Sequence, residues 1–212
     1  MGLAFISPYE ALKSRAEKMR SAVCFSARRF GKNSFEDFRT LNWEQVFQRV
    51  QGYIQFLQFQ GLKKGDRIAL FGRNSAEWIL LDWAAIIYGL VTVPLYAQSH
   101  LSEVRYILEE SEAKVLFVDE PVAELSISQI RFQDLDEHAH RLRLSFIPTE
   151  ISPDDVCSII YTSGTTGKPK GVMHSARNFY DAIRIANKVI RLTPRDQLIS
   201  YLPLSHVAER AL

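Results

Sequence analysis

The sequence predicts an α/β fold: a layered, mainly parallel sheet with flanking helices. Three observations carry this. Strand-like and helix-like runs alternate from Arg67 to Asp119. The connections between them are short, as expected when each helix carries the chain back to a neighbouring strand. Hydrophobic types make up 47% of the 212 residues and charged types 24%. That balance can bury a core and excludes a disordered tail, a collagen or a coiled coil.

Taken in order, residues 8–30 read as a helix, because Leu12, Ala16, Met19 and Val23 recur at spacings of four, three and four. Lys13, Arg15, Lys18 and Arg20 lie on its other face, and a packed surface helix is favoured over a membrane-surface one. Residues 43–60 form a second helical pattern on Val46, Val50, Ile54 and Leu57, with Asn42 as N-cap and Gly61 ending it. Lys63–Asp66 is a turn and Arg67–Phe71 a strand. Residues 75–88 are an apolar helix, too short to span a bilayer and interrupted by Glu77 and Asp82. Asn74 and Glu77 have capping-box spacing, and Gly89 closes the helix. Leu90–Leu95 is a strand, 102–111 a helix and Lys114–Asp119 a strand. Residues 120–150 are less periodic and read as irregular connection, with an acidic patch at Asp134, Asp136 and Glu137 and solvated loop histidines at 138 and 140. Val156–Tyr161 is a buried-type strand, 176–190 a helix capped by Ser175, and Gln197–Leu202 another strand, after which Ser205 can cap a helix starting at His206. Residues 1–40 form an N-terminal helical segment in this reading and 41–212 the domain proper.

The net charge of +2 gives no bulk field for nucleic acid, and no helix-turn-helix or zinc pattern is present. Charge is uneven along the chain: net +7 over residues 1–73, −10 over 74–155 and +5 over 156–212. An anionic ligand is expected at the last stretch. Cys24 and Cys157 are too few for a disulfide framework, which points to a reducing compartment, the cytoplasm. The first residues lack the order of a signal peptide, and Ile6 breaks the myristoylation pattern.

The segment that carries chemistry is Thr162–Gly171, TSGTTGKPKG, directly after the Val156–Tyr161 strand. It holds four hydroxyls, three glycines and two lysines. Hydroxyls and glycine amides in a tight loop can surround phosphate oxygens, and a lysine adds a point charge. It is not a Walker A loop, because only Thr165 and Thr166 separate Gly164 from Gly167, and Pro169 follows Lys168 where Ser or Thr is required. A solvated Ser/Thr/Gly hairpin is the bland alternative. Cys157 reads as a small core residue, and Trp78, Trp83 and Tyr88 as core aromatics.

The string YTSGTTGKPKGV resembles the signature of the adenylate-forming enzymes: acyl-CoA synthetases, luciferases and peptide-synthetase adenylation domains. LNWEQV at 41–46, GLKKGDRIAL at 61–70 and EWILLDWAAIIYGLVTVPLY at 77–96 resemble the same family. SYLPLSHVAER at 200–210 is similar to the long-chain fatty acyl-CoA synthetase version. The resemblance implies the N-terminal part of that fold, in the AMP-binding domain. It implies a two-step reaction, in which a fatty acid is adenylated by ATP and then passed to CoA, with Mg²⁺ assisting. It places Thr162, Ser163, Gly164, Thr165, Thr166, Gly167, Lys170 and Gly171 around the β- and γ-phosphates. Lys170 is implied as the catalytic charge, Thr165 and Thr166 as hydroxyl contacts, Thr165 also toward the metal, and Lys168 as a variable position. His206 is implied near the acyl and adenylate site, with Glu209 able to orient it. The adenine, ribose and C-terminal lysine segments of the family have no counterpart within 212 residues. The chain is therefore expected to be an incomplete, inactive portion that exposes surface for the rest of the enzyme. A lipid-partitioning substrate also implies peripheral contact with a membrane. Adenylation of another carboxylate, or a non-catalytic nucleotide-binding remnant, are the alternatives.

Overall fold

The computed structural model describes residues 5–28, 38–141, 148–162, 168–191, 193, 196–206 and 210. Helix α1 spans Pro8–Lys18. Ser7 caps it in a reciprocal box with Glu10, and Pro8 takes the first-turn position where a missing N–H costs nothing. The sequence pattern runs this helix to residue 30, but it stops at Lys18. Val23–Arg28 instead forms strand β1, antiparallel to β2, Phe38–Asn42. The apolar stripe gives out at that point: Leu12 and Ala16 are buried, but Val23 is 61% exposed. The run Val23-Cys24-Phe25 favours an extended ladder over a helix, and the Ser26 and Thr40 hydroxyls bond across it at 2.8 Å. A division at residue 40 falls inside β2, and Leu12 shares one core with the helices that follow.

Helix α2, Trp43–Phe59, begins where Asn42 predicts. Asn42 Oδ1 accepts from Gln45 N at 2.9 Å, and Gln45 Oε1 from Asn42 N at 3.0 Å. After it come β3 (Arg67–Phe71), α3 (Ala76–Tyr88), β4 (Val91–Leu95), α4 (Leu101–Ser111) and β5 (Val115–Val118). Ser75, not Asn74, caps α3, accepting from Trp78 N at 3.1 Å. Gly89 ends α3 at φ +86°, a left-handed conformation suited to glycine.

Residues 120–150 hold more order than their weak periodicity suggests: β6 (Gln129–Arg131), a 3₁₀ turn and α5 (Leu135–Arg141). Within the acidic patch, Glu137 is exposed but Asp136 is half-buried and bound to cations. Asp136 accepts from Arg49 at 2.6 Å, Arg39 at 3.1 Å and the Tyr53 hydroxyl at 2.7 Å. Burial alone would raise its carboxyl pKa, but Tyr53, Arg49 and Arg39 outweigh that and hold it below the usual carboxylate range. His138 is no loop residue either; it lies on α5 with its ring stacked on Phe56 at 5.0 Å. The chain continues through β7 (Val156–Thr162), β8 (Lys170–Ser175) and α6 (Ala176–Ile190).

The main sheet has the order β6-β5-β3-β4-β7-β8, and only β8 runs antiparallel to its neighbour. Its central parallel strands β5, β3 and β4 are buried on both faces, so they read as continuous apolar runs. Alternate residues serve the two faces. Ile68, Leu70 and Phe117 pack with α2 and α3, while Ala69, Leu116 and Val118 pack with Val104 and Ile107 of α4. Trp78 is buried, Trp83 and Tyr88 pack at the rim of that core, and the Tyr88 hydroxyl donates to Leu62 O at 2.7 Å.

Candidate phosphate-loop site

Strand β7 lies between β4 and β8, and its Cys157, Ser158, Ile160 and Tyr161 are buried. The chain leaves β7 at Thr162 and returns at Lys170, which pairs with Thr162 across the β7–β8 hairpin. Since β7 runs parallel to β4, Thr162 and its partner Lys170 stand at the carboxyl ends of the parallel strands. That is where ligands bind in open α/β sheets. Ser163, Gly164, Thr165, Thr166 and Gly167 lie outside the described residues.

Of the described members, Thr162 is exposed at the end of β7, and Lys170 opens β8 with an exposed side chain. Lys168 lies over the Tyr106 ring of α4, its Nζ 5.4 Å from the centroid, a cation–π contact. Gly171 sits opposite Tyr161 in the ladder. A Cβ there would come within 2.8 Å of Ile159 Cγ2 and 3.0 Å of Tyr161 Cζ, so close packing alone requires glycine.

The predicted strand Gln197–Leu202 is absent. Residues 196–201 are irregular and exposed, Ile199 by 87% and Tyr201 by 77%, and pair with no described strand. A turn follows at Pro203–His206, closed by His206 N donating to Pro203 O at 2.8 Å. Asn74, just beyond the carboxyl end of β3, holds that turn from outside. Its amide donates to Leu202 O at 2.7 Å, and its Oδ1 accepts from Leu204 N at 2.9 Å. The His206 turn and the Thr162–Lys170 pair therefore share the carboxyl end of the sheet. The His206 side chain is exposed. Residues 207–209, and Glu209 with them, lie outside the described residues.

Arg210 is a participant that motif reading passed over. Its guanidinium forms a two-pronged pair with Asp82 of α3, at 2.6 and 3.1 Å. It also donates to Ser158 Oγ at 2.8 Å and Thr92 Oγ1 at 2.9 Å, between β7 and β4. The two charged side chains are 3% and 6% exposed. A signal was present in the sequence: Asp82 interrupts an apolar helix, and a carboxylate buried there needs a cation. Burial, then the Arg210 charge, lowers the pKa of His174 on β8 and favours its neutral form. Burial pushes the Cys157 thiol up to about 12, which suits a core residue and not a nucleophile. Among the described residues, no group of three His, Cys, Asp or Glu side chains could hold a metal ion, and no helix is long and apolar enough to cross a membrane.

Comparison with known proteins agrees with the α/β fold. A family model described as AMP-binding enzyme matches residues 12–212. The chain is 31% identical over 210 residues to fatty acyl-CoA synthetase A of Dictyostelium discoideum, covering 83% of this chain and 31% of that protein. It is 30% identical over 176 residues to a 2-succinylbenzoate–CoA ligase of Oceanobacillus iheyensis, covering 82% and 37%. Among solved structures, the inhibitor-bound N-terminal domain of FACL13 from Mycobacterium tuberculosis superposes with a TM-score of 0.84 at 27% identity, covering 98% of this chain and 54% of that one. The chain thus spans about a third of the length of these curated relatives.

Proposed function

Because the chain belongs to the AMP-binding enzyme family, we propose that it forms the phosphate-gripping part of an ATP-dependent long-chain fatty acid–CoA ligase. The observation that carries this reading is the Thr162–Lys170 hairpin opening at the carboxyl end of the parallel sheet, with both lysines of the string beside it. In the reaction, a carboxylate oxygen attacks the α-phosphorus of ATP, and the bond from that phosphorus to pyrophosphate breaks. The CoA sulfur then attacks the acyl carbon, and AMP leaves. Mg²⁺ enters with ATP and neutralises phosphate charge when bound.

The work assigned to this chain is electrostatic. Negative charge grows on the departing phosphates, and donors already aimed at them lower the barrier without reorganising. Lys170 supplies the cation and Thr162 a hydroxyl. Ser163, Gly164, Thr165, Thr166 and Gly167 supply further hydroxyls and amides, Thr165 also toward Mg²⁺, and Gly171 lets the backbone pass closely. His206 faces the acyl and adenylate side from the turn held by Asn74. The fatty acid reading draws on SYLPLSHVAER and the Dictyostelium relative, and the succinylbenzoate ligase keeps another carboxylate as the rival. In the cell, the reading is cytoplasmic, with α1 able to rest on a lipid surface through exposed cations such as Lys13.

Calorimetric titration with Mg-ATP tests the grip. The parent chain should bind, and Lys170→Ala should weaken binding roughly tenfold or more, the value of a charge-assisted hydrogen bond. Equal affinity in the two would refute the role of Lys170. ATP–pyrophosphate exchange with long-chain acids should show no turnover by the 212-residue chain itself, and robust turnover would refute that part.

A further inference from the structure

We propose that Asn74 and the Asp82–Arg210 pair are positioning residues that fix the Leu202–His206 turn, and so set where His206 stands relative to a bound phosphate. Two points tie this segment to the rest of the fold. Residues 196–201 leave their backbone groups outside any described ladder, and Pro203 has no N–H to offer. Asn74 reaches across this gap and satisfies one carbonyl before Pro203 and one amide after it. It is a local mimic of the ladder that a strand would have supplied. Beyond the turn, Arg210 is bolted through Asp82 to α3 and through Ser158 and Thr92 to the β7–β4 seam. At the first pin, the Leu204 side chain also inserts into the core with 5% exposure. His206 follows Leu204 by two residues, and its backbone N closes the turn on Pro203 O at 2.8 Å.

The placement has a functional meaning. Ser158, which anchors Arg210, lies four residues before Thr162 on the strand that launches the phosphate loop. Asn74 leaves the carboxyl end of β3, two strands away from β7 in the sheet. The turn and the strand that leads into the loop are therefore tied to one sheet. The part of the proposal that concerns phosphate rests on the function proposed above, whereas the pinning itself does not.

The test uses the 212-residue chain, with backbone ¹⁵N and histidine-ring labels, in parent, Asn74→Ala and Asn74→Asp forms. His206→Gln assigns the His206 signal among five histidines. In Asn74→Ala, amide exchange at Leu204 and His206 should quicken at least about tenfold, and the His206 ring signal should shift. Amides of Ile68–Leu70 and Leu116–Val118 should keep their parent rates. Asn74→Asp keeps the acceptor for Leu204 N and should quicken exchange less, which covers the case where the alanine form fails to fold. Unchanged Leu204 and His206 exchange overturns the pinning, as does a uniform rise across all amides. Mg-ATP titration of the same samples reads the second half: a fivefold or greater loss in Asn74→Ala supports it, and undiminished affinity overturns it. If the parent itself does not bind, the functional reading and the phosphate half fall together, and the exchange data still decide the pinning.

Discussion

Replacing Arg210 by methionine removes the cation from a pair whose side chains are 3% and 6% exposed. The cost can be apportioned from its neighbours. Ser158 Oγ still donates to Thr92 O at 3.0 Å, and Thr92 Oγ1 to Cys157 O at 3.3 Å, so neither hydroxyl is stranded. Asp82 is left without its cation. A buried charge deprived of its partner costs about 3–5 kcal/mol. Loss of the guanidinium from beside the Phe179 ring, 5.1 Å from its centroid, and the Trp78 ring, at 5.9 Å, adds roughly 1 kcal/mol. The expected loss is therefore about 4–6 kcal/mol, a large part of the roughly 5–15 kcal/mol that holds an ordinary domain together. Urea unfolding followed by circular dichroism measures it. The double variant Asp82→Leu with Arg210→Met removes both charges and should recover most of the loss, because apolar replacements of a whole buried pair are often neutral. A single-variant loss under 1 kcal/mol, or a double variant no more stable than the single, would refute the reasoning.

Two further outcomes follow from features elsewhere. Gly171→Ala brings a methyl against Ile159 and Tyr161 and should cost about 1–3 kcal/mol by overpacking, read as a lower thermal midpoint. Asp136 has a depressed folded-state pKa, so the stability it lends is present above the unfolded carboxylate value of about 3.9 and is lost as pH falls through the lower folded value. The stability gap between parent and Asp136→Asn, from urea midpoints, should be full at neutral pH and shrink below about pH 4. A gap that is constant from neutral pH down to about pH 2.5 would refute the network's charge contribution.

What the sequence disclosed were features whose cause lies within a few residues. Asn42 and Ser175 cap their helices because the donor they satisfy is three positions on, and Gly61 and Gly89 mark helix ends by their own backbone freedom. The alternation around β3, α3, β4, α4 and β5 was legible because each element buries its own face. Failures occurred where a distant partner decides. Val23–Arg28 is a strand because Phe38–Asn42 is there to pair with it. Gln197–Leu202 has a strand's pattern but no described strand beside it. Lys170–Ser175 was hidden as a strand inside a motif read for its chemistry. At the site, the loop string was recognisable by itself, whereas the Asn74 bridge and the Asp82–Arg210 pair need the fold to bring them together. Asp82 gave half of that signal by standing charged in an apolar helix.

The two pins also set an order of events. Asn74 meets Leu204 across 130 residues of chain, and Asp82 meets Arg210 across 128. Closing so long a loop in a disordered chain costs about 4 kcal/mol of entropy before any contact rewards it. The closure becomes favourable only after β3, β4 and their helices have shortened the path. These contacts are therefore expected to form after the folding barrier and to slow unfolding. Substitution at Arg210 should leave the refolding rate nearly as it was and spend its whole effect on how quickly the carboxyl end of the sheet comes apart.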